Sequence, residues 1–252
     1  MTVVKSIGAQ EIKANTFEKH DTLKSILVYD HTIKHYDVEI TEKVIDKAIV
    51  SRNCKDYNGI KVVLLSDRLS KIGDTAFENC INLEKVELPN SVTIIGKDAF
   101  RNCGQLFSVE ILGDVTGTLC NIEEGAFYNC TSLTNLTLSN HIGTIGVQSF
   151  YNCKELKKIE CTDTLTKINK EAFLNCINLE EVEIGKSIVE IDDWAFYGCN
   201  SLKTVRIKAE TPPTLGKDVF PNSNIDLEIP KGSRSSYEKA CGMYNNVKLI
   251  EK

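Results

Sequence analysis

A phenylalanine followed three residues later by a cysteine occurs six times in this chain, at nearly constant spacing. The pairs are Phe77–Cys80, Phe100–Cys103, Phe127–Cys130, Phe150–Cys153, Phe173–Cys176 and Phe196–Cys199. Successive phenylalanines lie 23, 27, 23, 23 and 23 residues apart. Such a period marks a repeat architecture, in which one unit cannot bury its apolar face alone and stacked neighbours do so together.

With Phe as position 0, further columns run through all six copies. Position −5 is always isoleucine, from Ile72 to Ile191, and +6 is always leucine, from Leu83 to Leu202. Position −1 is small (Ala76, Ala99, Ala126, Ser149, Ala172, Ala195). Position +9 carries Val86, Val109, Leu136, Ile159, Val182 and Val205, and +11 carries Leu88, Ile111, Leu138, Cys161, Ile184 and Ile207. Positions −1, 0 and +3 share one side of a short helical turn, which Gly73-Asp74 or Asp192-Asp193 can cap. Positions +9 and +11 alternate with polar residues as in a strand with one buried face.

Degenerate copies extend the array. Ile12, Phe17, Leu23, Ile26 and Val28 keep the offsets, with His20 in the cysteine column. A second copy reads Ile45, Val50, a displaced Cys54, Val63 and Leu65. The stretch 31–43 between them is extra. Leu215 and Phe220 open a last copy, followed by Ile225–Pro230 and a polar helix-like segment from Ser233 to Cys241 that reads as a C-terminal cap. The expectation is one α/β solenoid over residues 1–252, about nine turns long. It comprises degenerate repeats over 7–65, regular repeats over 66–210 and a cap over 211–252.

At this point the chain resembles a known family. The segments TAFENCINLEKVELPNSV and EAFLNCINLEEVEIGKSI, and the ending EIPKGSRSSYEKA, are similar to the BspA-like leucine-rich repeats. The resemblance runs from Ile12 to Lys252. It implies a right-handed leucine-rich-repeat solenoid of the L-domain-like group, with one parallel sheet face and short helical turns opposite. It also implies a non-enzymatic protein-binding module, adhesin-like, at the bacterial cell surface or secreted, with a host or matrix protein as ligand. The alternative is a cytosolic scaffold that self-associates through its solenoid surface.

Composition limits the partners. Thirty Lys+Arg against thirty-five Asp+Glu give a net charge of −5, which supplies no general attraction to nucleic acid. No apolar run approaches the roughly 20 residues of a membrane span. The start MTVVKSIGAQEIKANTF has no signal-peptide pattern, so a chain natively beginning at Met1 is expected in the cytoplasm.

Ten cysteines would suggest disulfides by count, but six of them form the internal column. In-register side chains about 5 Å apart exceed the usual Cβ separation of ~3.8 Å in a disulfide, so unpaired buried thiols are expected. A row of this kind cannot close a tetrahedral zinc site. His31 and His35 have helical ligand spacing in a segment with no convincing helix, and His141 reads as a loop residue. No nucleophile elbow, phosphate loop or isolated carboxylate pair points to catalysis, and no cofactor or metal is expected.

Two surfaces are candidates for a partner. Positions +8 and +10 point outward from the sheet and include Lys85, Glu87, Glu110, Lys158, Glu160, Glu181, Glu183 and Arg206. They form either an acidic strip for a basic partner segment or a solubilising face on which Lys85 and Lys158 compensate the carboxylates. Position +1 carries Tyr128, Tyr151, Leu174 and Tyr197, which form either an exposed apolar stripe or rings half-buried between turns.

Overall fold

The structure is a computed structural model that describes the backbone of residues 25–28 and 62–65 and, in full, residues 71–112, 118–220, 224–242 and 244–252. Expectations for Ile12, Phe17, His20, the stretch 31–43, Ile45, Val50 and Cys54 lie outside the described residues.

Each regular coil gives a strand to each of two parallel-stranded faces, one a seven-stranded sheet and the other made of two five-stranded sheets end to end. The longer strands come from positions +8 to +11. They are β1 (Ser25–Val28), β2 (Val62–Leu65), β4 (Lys85–Leu88), β6 (Ser108–Ile111), β8 (Asn135–Leu138), β10 (Lys158–Glu160), β12 (Glu181–Ile184), β14 (Thr204–Ile207), β16 (Ile225–Ile229) and β17 (Val247–Glu251). Register follows the repeat, with Val86 opposite Val109 and Val182 opposite Val205. It also places Ile26 opposite Val63 and Val63 opposite Val86, the pairing that the offsets of the degenerate copies call for.

The second sheet is built around the isoleucines at −5. Its strands are β3 (Lys71–Ile72), β5 (Ile94–Ile95), β7 (Cys120–Ile122), β9 (Ile142–Ile145), β11 (Lys167–Ile168), β13 (Glu190–Ile191) and β15 (Thr214–Leu215), paired in sequence order. Between the sheets, seven phenylalanine rings stack from Phe77 to Phe220. The first six are spaced 5.0–5.3 Å and the last step is 6.5 Å. Tyr244 closes the column edge-on to Phe220 at 5.5 Å.

The Phe–Cys segment is a chain of hydrogen-bonded turns whose shape depends on two left-handed positions. Position −2 has positive φ in every regular coil from Thr75 to Trp194, and so does +2, where Asn79, Asn102, Asn129, Asn152 and Asn175 stand. Asparagine tolerates this conformation better than most side chains, and Gly198 replaces it in the last regular copy. A Cβ at Gly198 would lie 2.3 Å from Asn175 Oδ1. The turn also bonds to its neighbour: Thr75, Phe77 and Asn79 donate their N–H groups to the carbonyls of Lys97, Ala99 and Arg101. The expected cap is used differently from the expectation. Asp74 accepts from Lys97 N and Asp193 from Lys217 N, so these carboxylates cap the following coil.

The thiols are buried and hydrogen-bonded to the preceding coil. Cys103, Cys130, Cys153, Cys176 and Cys199 donate to the carbonyls of Phe77, Phe100, Phe127, Phe150 and Phe173 at 3.1–3.4 Å. Cys80 departs from the expected unpaired column: it is disulfide-bonded. The ~5 Å spacing that keeps column neighbours from pairing sets no limit on a partner outside the column, and Cys80 is the column's first member.

At the far end, α1 (Arg234–Ala240) follows Ser233 as the sequence suggests, and buries Tyr237, whose hydroxyl donates to Ala209 O at 2.7 Å. The chain then adds β17 as the outermost strand. Arg234 Nη2 donates to Leu249 O at 3.0 Å, which occupies part of that strand's backbone. Among the described residues, no helix is long and apolar enough to cross a membrane.

Candidate interaction surface

The alternation of the longer strands turns +9 and +11 inward and leaves +8 and +10 as two rows on the sheet face. Ser108 is the exception, being buried. In-register carboxylates would repel across a strand spacing, and the face resolves this with bridging cations. Lys85 Nζ lies 2.8 Å from Glu87 and 3.0 Å from Glu110. Lys158 lies 2.6 Å from Glu160 and 4.0 Å from Glu181. Arg206 spans Glu183 at 2.8 Å and Glu228 at 2.6 Å, and Lys208 reaches Glu183 at 2.5 Å.

The charges respond accordingly. The hydrogen bonds it donates to Glu87 and Glu110 hold the Lys85 ammonium above its ordinary range, and the one to Glu160 does the same for Lys158. Lys208 holds the Glu183 carboxyl below the usual carboxylate range, with Arg206 adding and burial opposing. Burial works to raise Glu228, but Arg206 and Lys252 outweigh it and the net shift is downward. The face is therefore a mixed ladder, with five carboxylates and three cations among the eight candidate residues.

The tyrosines of position +1 sit on the turn side. Tyr128 and Tyr151 stack at 4.6 Å, and the Arg101 guanidinium lies 4.0 Å over Tyr128. Both rings and Leu174 are half-buried, whereas Tyr197 is 42% exposed. His141 is a turn residue, as expected, but is buried: Nδ1 meets Ser139 Oγ at 2.6 Å and Nε2 meets Val92 O at 3.3 Å.

Sequence reasoning passed over one feature of the sheet face. The strands pair in order from β1 to β8 and from β10 to β17, but β8 and β10 are not hydrogen-bonded to each other. Elsewhere the same two coils stay in step: Phe127 and Phe150 stack at 5.2 Å, and Thr162 Oγ1 donates to Ser139 O at 3.1 Å. The opening is thus confined to the sheet face. It is a cleft of about 300 Å³ lined by Thr134, Asn135, Leu136, Thr137, Leu138, Lys158 and Glu160. Beside it stands Phe107, 43% exposed, whose carbonyl accepts from Thr134 N and Oγ1. Two sequence signals mark the place. Leu136 is the only +9 residue of the six copies that is not β-branched, and Phe107 is the only aromatic at +7.

Comparison with known proteins agrees with this architecture. The model of the BspA-type leucine-rich repeat region matches residues 47–118 and 120–243 in six copies. A leucine-rich repeat protein of T. pallidum is similar in fold, with a TM-score of 0.54 and 22% identity over 76% of this chain and 86% of that one. A leucine-rich cell surface protein of Faecalibacterium prausnitzii gives 0.46 and 17% over 92% of each chain. A leucine-rich repeat protein of Bacteroides ovatus gives 0.47 and 20% over 99% of this chain and 76% of that one. No curated protein is similar enough to the chain to count as a relative.

Proposed function

The chain belongs to the BspA-type leucine-rich-repeat family, and from that premise we propose that it is a non-enzymatic protein-interaction module that binds through its sheet face. The observation that carries this reading is the sheet face itself. Its outward rows run in register on each side of the opening between β8 and β10, and their ion pairs, such as Lys85 with Glu87 and Glu110, are formed before any partner arrives. A pre-organised charged face loses little side-chain freedom on binding and can steer a complementary partner. The family resemblance supports the finer reading of an adhesin-like protein at the cell surface, with a host or matrix protein as ligand.

The test compares two variants against a purified protein retained by the immobilised chain. Replacing Glu87, Glu110, Glu160 and Glu183 by Lys should slow association and change its salt dependence. Replacing Tyr128, Tyr151 and Tyr197 by Ser should leave both unchanged if the sheet face binds. The opposite pattern would move the interaction to the turn side. For the scaffold alternative, the molecular mass measured over a hundredfold range of concentration should rise if the chain self-associates and stay that of a monomer otherwise.

A further inference from the structure

We propose that the opening between β8 and β10 is the anchor site of the sheet face, and that it takes a neutral apolar side chain presented by an extended segment of a partner protein. This rests on the reading that the sheet face binds.

The chemistry of the opening selects the occupant. In the register of the flanking pairs, alternate peptide groups of each strand point at the next coil: Leu112 N donates to Leu88 O, and Lys208 N to Ile184 O. By the same register, the peptide groups of Leu136 and Leu138 that face β10, and those of Lys158 and Glu160 that face β8, form no ladder. They alternate donor and acceptor at strand spacing, and because β8 and β10 approach within 8 Å, too close for another strand to enter between them, an extended peptide lying along the face reaches only those groups that open onto it. The floor is apolar. Leu136 is half-buried, whereas Val86, Val109, Ile159, Val182 and Val205 at the same offset are at most 2% exposed. Phe107, exposed on the coil below, is tied through its carbonyl to Thr134 of the lining.

Size and charge narrow the choice further. About 300 Å³ is the lower end of ligand pockets, enough for one large side chain but small for a nucleotide or flavin. The charged lining residues, Lys158 and Glu160, already neutralise each other at 2.6 Å. With the pair's charges cancelled, the lining gives a charged ligand group little net attraction, so leucine or phenylalanine fits better than aspartate or lysine.

The experiment is an amide NMR titration of the full chain with blocked pentapeptides, acetyl-Ser-Thr-Xaa-Thr-Ser-amide, with Leu, Phe, Ala or Asp at Xaa. The Leu and Phe peptides should shift the amides of Leu136, Leu138, Lys158 and Glu160 saturably. The Ala peptide should bind about tenfold more weakly, the scale expected from losing most of a buried side chain, and the Asp peptide should not saturate. Thr137 is exposed, so Thr137→Arg leaves the core untouched and should abolish the shifts by covering the cleft. Equal effects from all four peptides, shifts located elsewhere, or no shifts would overturn the proposal. If the peptides fail while the four-Glu variant still loses its partner, the sheet face binds without this anchor. If that variant also binds normally, the reading of the sheet face fails with it.

Discussion

The Cys103 thiol donates to the carbonyl oxygen of Phe77, one coil below, at 3.1 Å. The same carbonyl accepts the amide of Cys80, so each phenylalanine carbonyl ties its own turn and the next coil together. That relationship recurs up to Cys199 and explains why cysteine, a small apolar side chain with a weak donor, fills this column.

Native-state chemistry should follow from it. Cys103, Cys130, Cys153, Cys176 and Cys199 should resist alkylation until the protein unfolds, because they are buried and bonded. Cys80 should label only after unfolding and reduction together, since it is disulfide-bonded. Peptide mapping of iodoacetamide adducts with and without reductant checks both statements, and labelling of Cys130 in the native protein would contradict the first.

Alkaline pH should unfold the chain steeply. Burial pushes the thiols of Cys103, Cys130, Cys153 and Cys199 well above their ordinary value of 9.0, and those of Cys120 and Cys161 up to about 12. An unfolded chain releases these protons near pH 9 while the folded chain keeps them. The stabilisation is therefore complete below pH 9 and is lost as pH rises toward the folded values. Each thiol contributes roughly 1.4 kcal/mol per pH unit in that window, so unfolding in reducing buffer is expected between about pH 9 and 11. Circular dichroism unchanged to pH 11 would contradict it.

Asn129 has a φ of 61°, donates to Asn102 Oδ1 at 3.1 Å and accepts from Asn152 Nδ2 at 2.6 Å. Asn129→Ala loses both amide bonds and the side chain that suits the left-handed backbone, for a loss of about 2 kcal/mol. Asn129→Gly keeps the backbone freedom and should lose clearly less. Urea midpoints separate the two variants, and equal losses would remove the backbone argument.

Ser149 stands in the alanine column, fully buried, with its hydroxyl unpaired. Ser149→Ala removes a desolvated polar group at no cost in volume and should stabilise the chain by about 1 kcal/mol, or roughly 2–4 °C in Tm. Calorimetry showing a lower Tm would mean that the hydroxyl has a partner.

The core was legible because its columns repeat: Phe77 to Phe196, the leucines from Leu83 and the strand pairs Val86/Leu88 each declare themselves by period. The asparagines at +2 were equally visible in the sequence, but their role depends on a left-handed φ that periodicity does not express. The second sheet escaped because most of its strands are only two or three residues long, with no room for alternation. On the sheet face, Glu87 and Glu110 were readable as neighbours. That Lys85 reaches both is a matter of side-chain geometry. The break at β8 and β10 depends on how two coils stack. Leu136 and Phe107 hint at it only once the other copies are laid beside them.

In the proposed binding mode the sheet face, around the opening at Leu136, meets the partner. Phe107, next to Thr134 of the opening, and Tyr197 on the turn side are almost equally exposed, at 43% and 42%. Hydroxyl-radical footprinting of the chain, free and saturated with its retained protein, reads both rings in one spectrum. Oxidation of Phe107 should fall severalfold on binding while that of Tyr197 stays unchanged. Protection of Tyr197 with Phe107 still oxidised would contradict the account.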